Sequence, residues 1–226
     1  GRMFALDESF CLIAPAAIAD SIAGRLRNYV LRSRVSIDLP DLQLVGLHRN
    51  DALPTPHACH LVRDSHDTAR ALLAGPRDAL PADAGISAIS PELWRLLDIR
   101  AGLPEISSIT TGQFVPQAAN LDLLDGISFD KGCYIGQEIV ARTRYLGQVK
   151  RRMLRFSGSG TPPCEGDPVH ASRGVVGKIA AAATSGEDFE CLAVVHLDDW
   201  PGPFFADTGG GRPLVVDENA IARACK

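Results

Sequence analysis

The sequence predicts an α+β fold that ends in a small antiparallel β-barrel. Three observations carry this. Helical and strand-like runs are mixed over the first 146 residues, and short β-like runs separated by glycine- and proline-rich turns fill the last 80. The composition, 46% hydrophobic and 22% charged over 226 residues, supplies enough apolar surface for a core.

Taken in order, a short strand-like start leads into Pro15 to Ser33. There Ile18, Ile22, Leu26, Tyr29 and Val30 recur at spacings of three and four and predict an amphipathic helix. Arg25, Arg27 and Arg32 sit toward its end, where cations suit the helix dipole. Val35 to Leu39, Gln43 to Arg49 and Ala58 to Arg63 read as strands broken by Pro40, Pro54 and Pro56. Asp67 to Ala74 reads as a short helix stopped by Gly75-Pro76. Ser90-Pro91 opens another helix, because serine can accept from the free first-turn amides and proline at the first helical position gives up no needed donor. It carries Leu93, Trp94, Leu97 and Ile99 and ends at Gly102-Leu103-Pro104. From Gln148 onward Val149 to Phe156, Asp167 to Ala171, Val175 to Thr184, Phe189 to Leu197 and Pro213 to Asp217 predict the barrel strands. The expected domains are therefore residues 1 to 146 and 147 to 226.

A net charge of -4 argues against a generally basic nucleic-acid binder, so any anion site must be local. No run approaches the ~20 apolar residues of a membrane span, and no secretory pattern opens the chain, which leads us to expect a cytoplasmic protein. Six scattered cysteines without a CxxC pair fit neither a disulfide scaffold nor a zinc module.

Chemistry concentrates in Lys131-Gly132-Cys133-Tyr134-Ile135-Gly136-Gln137-Glu138. Ile135, Ile139 and Leu146 have helical spacing, and Glu138 with Arg142 makes an acid-first i to i+4 pair, so a helix is expected from about Ile135 or Gly136. Cys133 then precedes a helix N-terminus, where free amides, the dipole and Lys131 favour a thiolate. Gly132 and Gly136 leave the backbone free to turn tightly. A buried, inert cysteine in a glycine-requiring turn is the competing reading, and residue types alone leave both open.

Further on, Arg142, Arg144, Lys150, Arg151, Arg152 and Arg155 follow one another with no acidic residue between Glu138 and Glu165. Such a stripe suits a polyanion, RNA phosphates or a folate polyglutamate tail, or else is a solvated linker. His57, His60 and His66 around Cys59 look metal-like, but on a strand His57 and His60 point to opposite faces. TGGGRPL, residues 208 to 214, runs into a strand and reads as a hairpin loop. Trp94 is either core or a stacking surface for a heterocycle.

The octapeptide resembles the signature of the YgfZ family of folate-binding proteins, relatives of the glycine-cleavage T-protein. The resemblance extends over Asp98 to Pro104, Gln113 to Gln117, Asn120-Leu121, Gly126 to Phe129, Ala141 to Thr143 and Gly147. It implies a T-protein-like folate-binding domain followed by the barrel. Gly1-Arg2 is similar to the end of a Lys-Gly-Arg-like turn in that family, so the first part of the folate-binding domain is expected to be missing. The implied function is tetrahydrofolate binding in support of iron-sulfur enzymes, notably those that modify tRNA. Cys133 would be the reactive centre with Lys131 beside it, Trp94 and Arg100 would be at the folate, and Gly132, Tyr134, Gly136, Gln137, Glu138 and Arg142 would support the motif. Weak RNA contact through Arg144, Lys150, Arg151 and Arg152 is a further expectation. The alternative is a folate-dependent aminomethyltransferase. Those relatives usually show an Arg-Leu-Glu-Ala-Gly-like segment where this chain has Asp98 to Gly102, with Arg100 replacing the acidic group, and they lack the cysteine. Both departures favour a supporting factor over an enzyme.

Overall fold

The computed structural model describes residues 2–6, 8–48, 59–63, 70–80, 89–145, 147–207 and 211–217. It divides into two compact units, Gly1–Trp94 and Arg95–Lys226. Residue 147, where the texture of the sequence changes, falls inside the second unit.

In the first unit, β1 (Arg2–Leu6) and β2 (Ser9–Ile13) form an antiparallel hairpin. Helix α1 follows as Ala16–Arg27. It is shorter than its apolar spacing suggests, because residues 28–33 continue as turns and Leu31 takes a left-handed φ of 46°. The Arg27 guanidinium turns back to donate to the Ile37 carbonyl, at 2.7 Å from Nη2. That bond belongs to residues 34–42, which contain no strand, so the strand expected over Val35 to Leu39 does not form.

Strands β3 (Gln43–His48), β4 (His60–Arg63) and β5 (Arg70–Gly75) make a three-stranded antiparallel sheet in the order β3-β5-β4. The expected helix over Asp67 to Ala74 is thus corrected where it is described: Arg70 to Ala74 is strand. The run Ala71 to Ala74 has no alternation to reveal its period, and its alanine and leucine are good helix formers. Pairing on both edges and burial of every residue of β5 override that propensity. Leu47, Cys59 and Leu73 form the core of this sheet.

Helix α2 (Pro91–Ala101) starts as its sequence requires, with Ser90 Oγ accepting from the Leu93 amide at 3.1 Å. Ser90 and a backbone amide also hold the exposed Glu92 carboxyl below its ordinary range, the backbone bond being the larger cause.

In the second unit, an irregular segment, residues 102–136, joins α2 to helix α3 (Gln137–Tyr145). Strands β6 (Arg151–Ser159), β7 (Pro168–Ala171), β8 (Gly174–Ser185), β9 (Asp188–His196), β10 (Phe204–Phe205) and β11 (Pro213–Val216) then close a barrel in the order β10-β11-β6-β9-β8-β7. Every pairing in it is antiparallel. Closure leaves no open sheet edge for another chain to pair with.

Strand β9 is buried nearly throughout because each face has a cover. Phe189, Cys191, Ala193 and Val195 fill one core cluster with Leu154, Phe156, Val169 and Phe204, while Leu192 and Val194 join a second with Leu96 and Ile99 of α2. At about 2 kcal/mol per fully buried aliphatic or phenyl side chain, these two layers dominate the unit's stabilisation. Phe156 and Phe204 meet edge to face, with centroids 5.5 Å apart. Two glycines are dictated by the closeness of the strands. A Cβ on Gly177 would lie 2.3 Å from the Val194 carbonyl oxygen, and one on Gly158 would lie 2.5 Å from the Phe189 ring. Among the described residues no helix is long and apolar enough to cross a membrane.

The irregular segment is fastened to the barrel by buried polar groups. Arg152, the second residue of β6, is 6% exposed. It donates to both Asp122 carboxylate oxygens, at 2.6 and 2.9 Å, and to the Gln117 carbonyl at 2.8 Å. Asn120, in a left-handed φ of 59°, gives its side-chain amide to the Met153 carbonyl at 2.7 Å and accepts from the Met153 amide at 3.4 Å, as a neighbouring strand would. Gln117, 1% exposed, donates from Nε2 to the Val140 carbonyl of α3 at 2.7 Å.

Two outcomes follow. Replacing Asp122 by Ala strands the Arg152 charge in the interior, which costs about 3 kcal/mol in urea unfolding, whereas Arg152→Leu with Asp122→Ala costs less than the single change. Burial pushes the Cys191 thiol up to about 12 from its usual value. The unfolded chain then loses that proton first as pH rises above about 9, so stability falls by up to ~1.4 kcal/mol per pH unit between there and the folded value. Cys191→Ala removes this component, and unfolding titrations of both proteins at pH 8 and 10.5 measure it.

Candidate functional site

Helix α3 and the loop before it carry the residues singled out in the sequence. Gln137 begins the helix, one to two residues later than expected, and Cys133 stands four positions ahead of it. The loop is fixed locally. The Tyr134 amide donates to the Gln137 side-chain oxygen at 3.1 Å, and the Gln137 amide donates to the Tyr134 carbonyl at 3.2 Å. Between them Gly136 has a φ of 88°, a left-handed conformation that disfavours any residue with a Cβ. The Lys131 ammonium lies 4.4 Å from the centroid of the Tyr134 ring, so its charge is directed onto an aromatic face.

Cys133 is exposed. Among the described residues its sulfur has no hydrogen-bond partner. Gly132 has open space where a Cβ would be, so the loop's first glycine marks no close contact. Glu138 and Arg142, read as an ion pair from their spacing, do not pair: both are exposed, and neither holds the other within salt-bridge distance. At the other end of α3, the Arg144 guanidinium lies 4.0 Å from the centroid of Phe129 and 5.9 Å from that of Tyr145, and the two rings meet edge to face at 6.4 Å. This cluster brings the start of the Cys133 loop to the last turn of α3. Phe129 and Tyr145 were not recognised as site residues from the sequence; an aromatic next to Arg144 at the helix end was the available signal.

The cationic stripe separates into two kinds of residue. Arg152, expected on an RNA-facing surface, is buried in the Asp122 clamp and is corrected here to a structural residue. Arg155 bonds Asp217 and approaches Glu190 at 3.9 Å. Arg142, Arg144, Lys150 and Arg151 are exposed.

Trp94 closes the first unit. Its half-buried indole packs on β3, where a Cβ on Gly46 would come within 2.6 Å of the ring. The guanidinium groups of Arg2 and Arg70 lie 5.1 and 4.9 Å from the ring centroid. Arg100, expected beside it at the folate, lies in the second unit. Its guanidinium is engaged by Glu190 at 2.7 and 2.9 Å and by Ser185 Oγ at 3.1 Å. It lines a cavity of about 480 Å³ with Arg155, Ser157, Asp188, Glu190 and Asp217, a lining that does not include Cys133. His57, His66 and residues 208–210 lie outside the described residues; His60 lies on β4.

No protein-family profile matches the chain. Curated proteins do. The tRNA-modifying protein YgfZ of Sodalis glossinidius is 34% identical over 191 residues, 74% of this chain and 58% of that protein. That of Klebsiella pneumoniae is 36% identical over 185 residues, 71% and 56% respectively. That of an Enterobacter species is 31% identical over 224 residues, 88% of this chain and 66% of the relative. The chain therefore spans little more than half to about two thirds of these relatives' length. An octapeptide built around an exposed cysteine, the segment that clamps it to a barrel, and this breadth of identity together place the chain in the YgfZ family.

Proposed function

We propose that this chain carries the thiol centre of a tetrahydrofolate-binding protein that supports iron-sulfur cluster assembly or repair, including that of tRNA-modifying enzymes. The observation that carries the reading is the presentation of Cys133. Its thiol is open to solvent on a loop fixed by Gln137 and by the Lys131 to Tyr134 contact, whereas Cys59 and Cys191 are buried. A thiol at such a place can reach a partner's iron or disulfide, which a core thiol cannot. The cluster is the client's cargo. One cysteine cannot hold it alone, so Cys133 acts with thiols or imidazoles of the client, losing its proton when it ligates iron.

The half-buried Trp94 indole carries the guanidinium groups of Arg2 and Arg70 over its ring, so a pterin would stack there in place of one of them. Arg100 does not fit, since its donors are spent on Glu190 and Ser185. Bound tetrahydrofolate would supply a reduced pterin and a one-carbon carrier. This chain's contribution is the stacking surface and the placement of the thiol.

In cells lacking their own relative, the chain is expected to restore nucleosides made by iron-sulfur-dependent tRNA-modifying enzymes, measured by mass spectrometry of digested tRNA. Cys133→Ser lowers that yield at least tenfold, and Cys164→Ser, at the other exposed thiol among the described residues, leaves it within twofold. Full yield from Cys133→Ser removes the thiol from the function. Tetrahydrofolate quenches Trp94 fluorescence if the folate assignment holds; an unchanged spectrum at saturating ligand would refute that part alone.

A further inference from the structure

The second unit distributes its charges unevenly. Among its described residues, Arg95, Arg100, Arg152, Arg155, Arg173 and Arg212 each reach a carboxylate: Glu165, Glu190, Asp122, Asp217, Asp199 and Asp207. Lys178 is held by the Gln113 side chain at 2.6 Å. Among the described residues of this unit, the cations held by neither a carboxylate nor a side-chain amide are Lys131, Arg142, Arg144, Lys150 and Arg151, all within one stretch of 21 residues. Between residues 129 and 151 the carboxylates are Asp130 and Glu138, so five cations against two give a local excess of +3 in a chain whose net charge is -4.

The same stretch shows aromatic rings. Tyr145 is 68% exposed and Tyr134 is 38% exposed. Arg144 holds Phe129 against Tyr145, and Lys131 sits on Tyr134, so each ring is steadied by a cation. A nucleobase can cover such an exposed aromatic face, at ~1–3 kcal/mol per stacked base. Unpaired cations beside such rings offer the phosphates their counterions. A folded partner protein would need its own acidic patch of matching outline, whereas single-stranded nucleic acid carries both the charge and the flat faces.

We infer that the loop 129–134, the last turns of α3 and the start of β6 form a binding surface for single-stranded or looped RNA, with Tyr145 and Tyr134 stacking on bases and Arg142, Lys150 and Arg151 neutralising phosphates. The choice of RNA over DNA rests on the family reading, since the relatives are named tRNA-modifying proteins. The rest stands on the surface itself, and Cys133 chemistry does not enter.

The test is fluorescence anisotropy of a labelled 20-nucleotide unstructured RNA, a stem-loop RNA, a perfect RNA duplex and a DNA strand of the same sequence, titrated with the full chain at 50 to 200 mM salt. Binding of the single-stranded and stem-loop RNAs is expected, weakening with salt. Tyr145→Ala lowers affinity about tenfold, in line with the loss of a stacked base. Arg142→Gln with Arg151→Gln lowers it at least tenfold and flattens the log-log salt dependence by about 0.7 per lost phosphate contact. Arg173→Gln, on the barrel, leaves it unchanged, and because the RNA titration and the tRNA-nucleoside rescue by Cys133→Ser are separate measurements, a failed thiol function and a failed RNA surface are told apart. No RNA binding at 50 mM salt overturns the inference. So does DNA or duplex bound more tightly than the single-stranded RNA, or polyglutamate competing as well as RNA while Tyr145→Ala has no effect, which would assign the surface to an acidic protein.

Discussion

The arrangement of the second unit hangs on one buried charge. Arg152 enters the interior at the start of a barrel strand, where an unpaired guanidinium would be intolerable, and Asp122 takes it in a two-pronged grip while the Gln117 carbonyl accepts a third bond. Through this ion pair a stretch of chain with no regular structure acquires a fixed address on the barrel. Gln117 extends the link to α3 by bonding the Val140 carbonyl, and Asn120 imitates a strand edge against Met153. The helix that follows Cys133 is therefore referenced to a closed sheet by specific bonds.

That linkage accounts for how an exposed loop can be precise. Loops ordinarily move because their backbone groups are held by water. Here the helix end is tethered from behind by Gln117, the loop is tied to the first residue of the helix by Gln137, and the aromatic cluster of Phe129, Arg144 and Tyr145 fixes the loop's start. The thiol itself needs no partner within the chain to be placed. Its exposure leaves it available to another molecule.

The barrel was legible because its strands announce themselves independently: β-branched and aromatic residues in short runs, with turns rich in glycine and proline at each break. The start of α2 was legible for a similar reason, since Ser90 accepts from the amide three residues on and Pro91 gives up no donor the helix needs. The segments that misled lack such local evidence. Arg70 to Ala74 has apolar residues without a period, and only pairing with β3 and β4 makes it a strand. Val35 to Leu39 has strand-forming residues but no neighbouring strand, and Arg27 takes the Ile37 carbonyl instead. The end of α1 at Arg27 follows from that same turn.

For the candidate site the division is sharper. The sequence by itself determined which residues could do chemistry, because a cysteine among glycines ahead of a helix and a run of cations without acids are properties of residue type and spacing. Tertiary structure alone decided which of them are free to act. Arg152 and Arg155 have the same charge as Arg151 and sit within four residues of it, yet strand alternation turns Arg152 to the other face, and the carboxylates of Asp122, Glu190 and Asp217 make fastenings of both. Arg100 was likewise claimed by Glu190, from 90 positions away along the chain. Such pairings cannot be read in advance, since the energy of a charge depends on what the fold brings within about 4 Å of it and on how much water is left there.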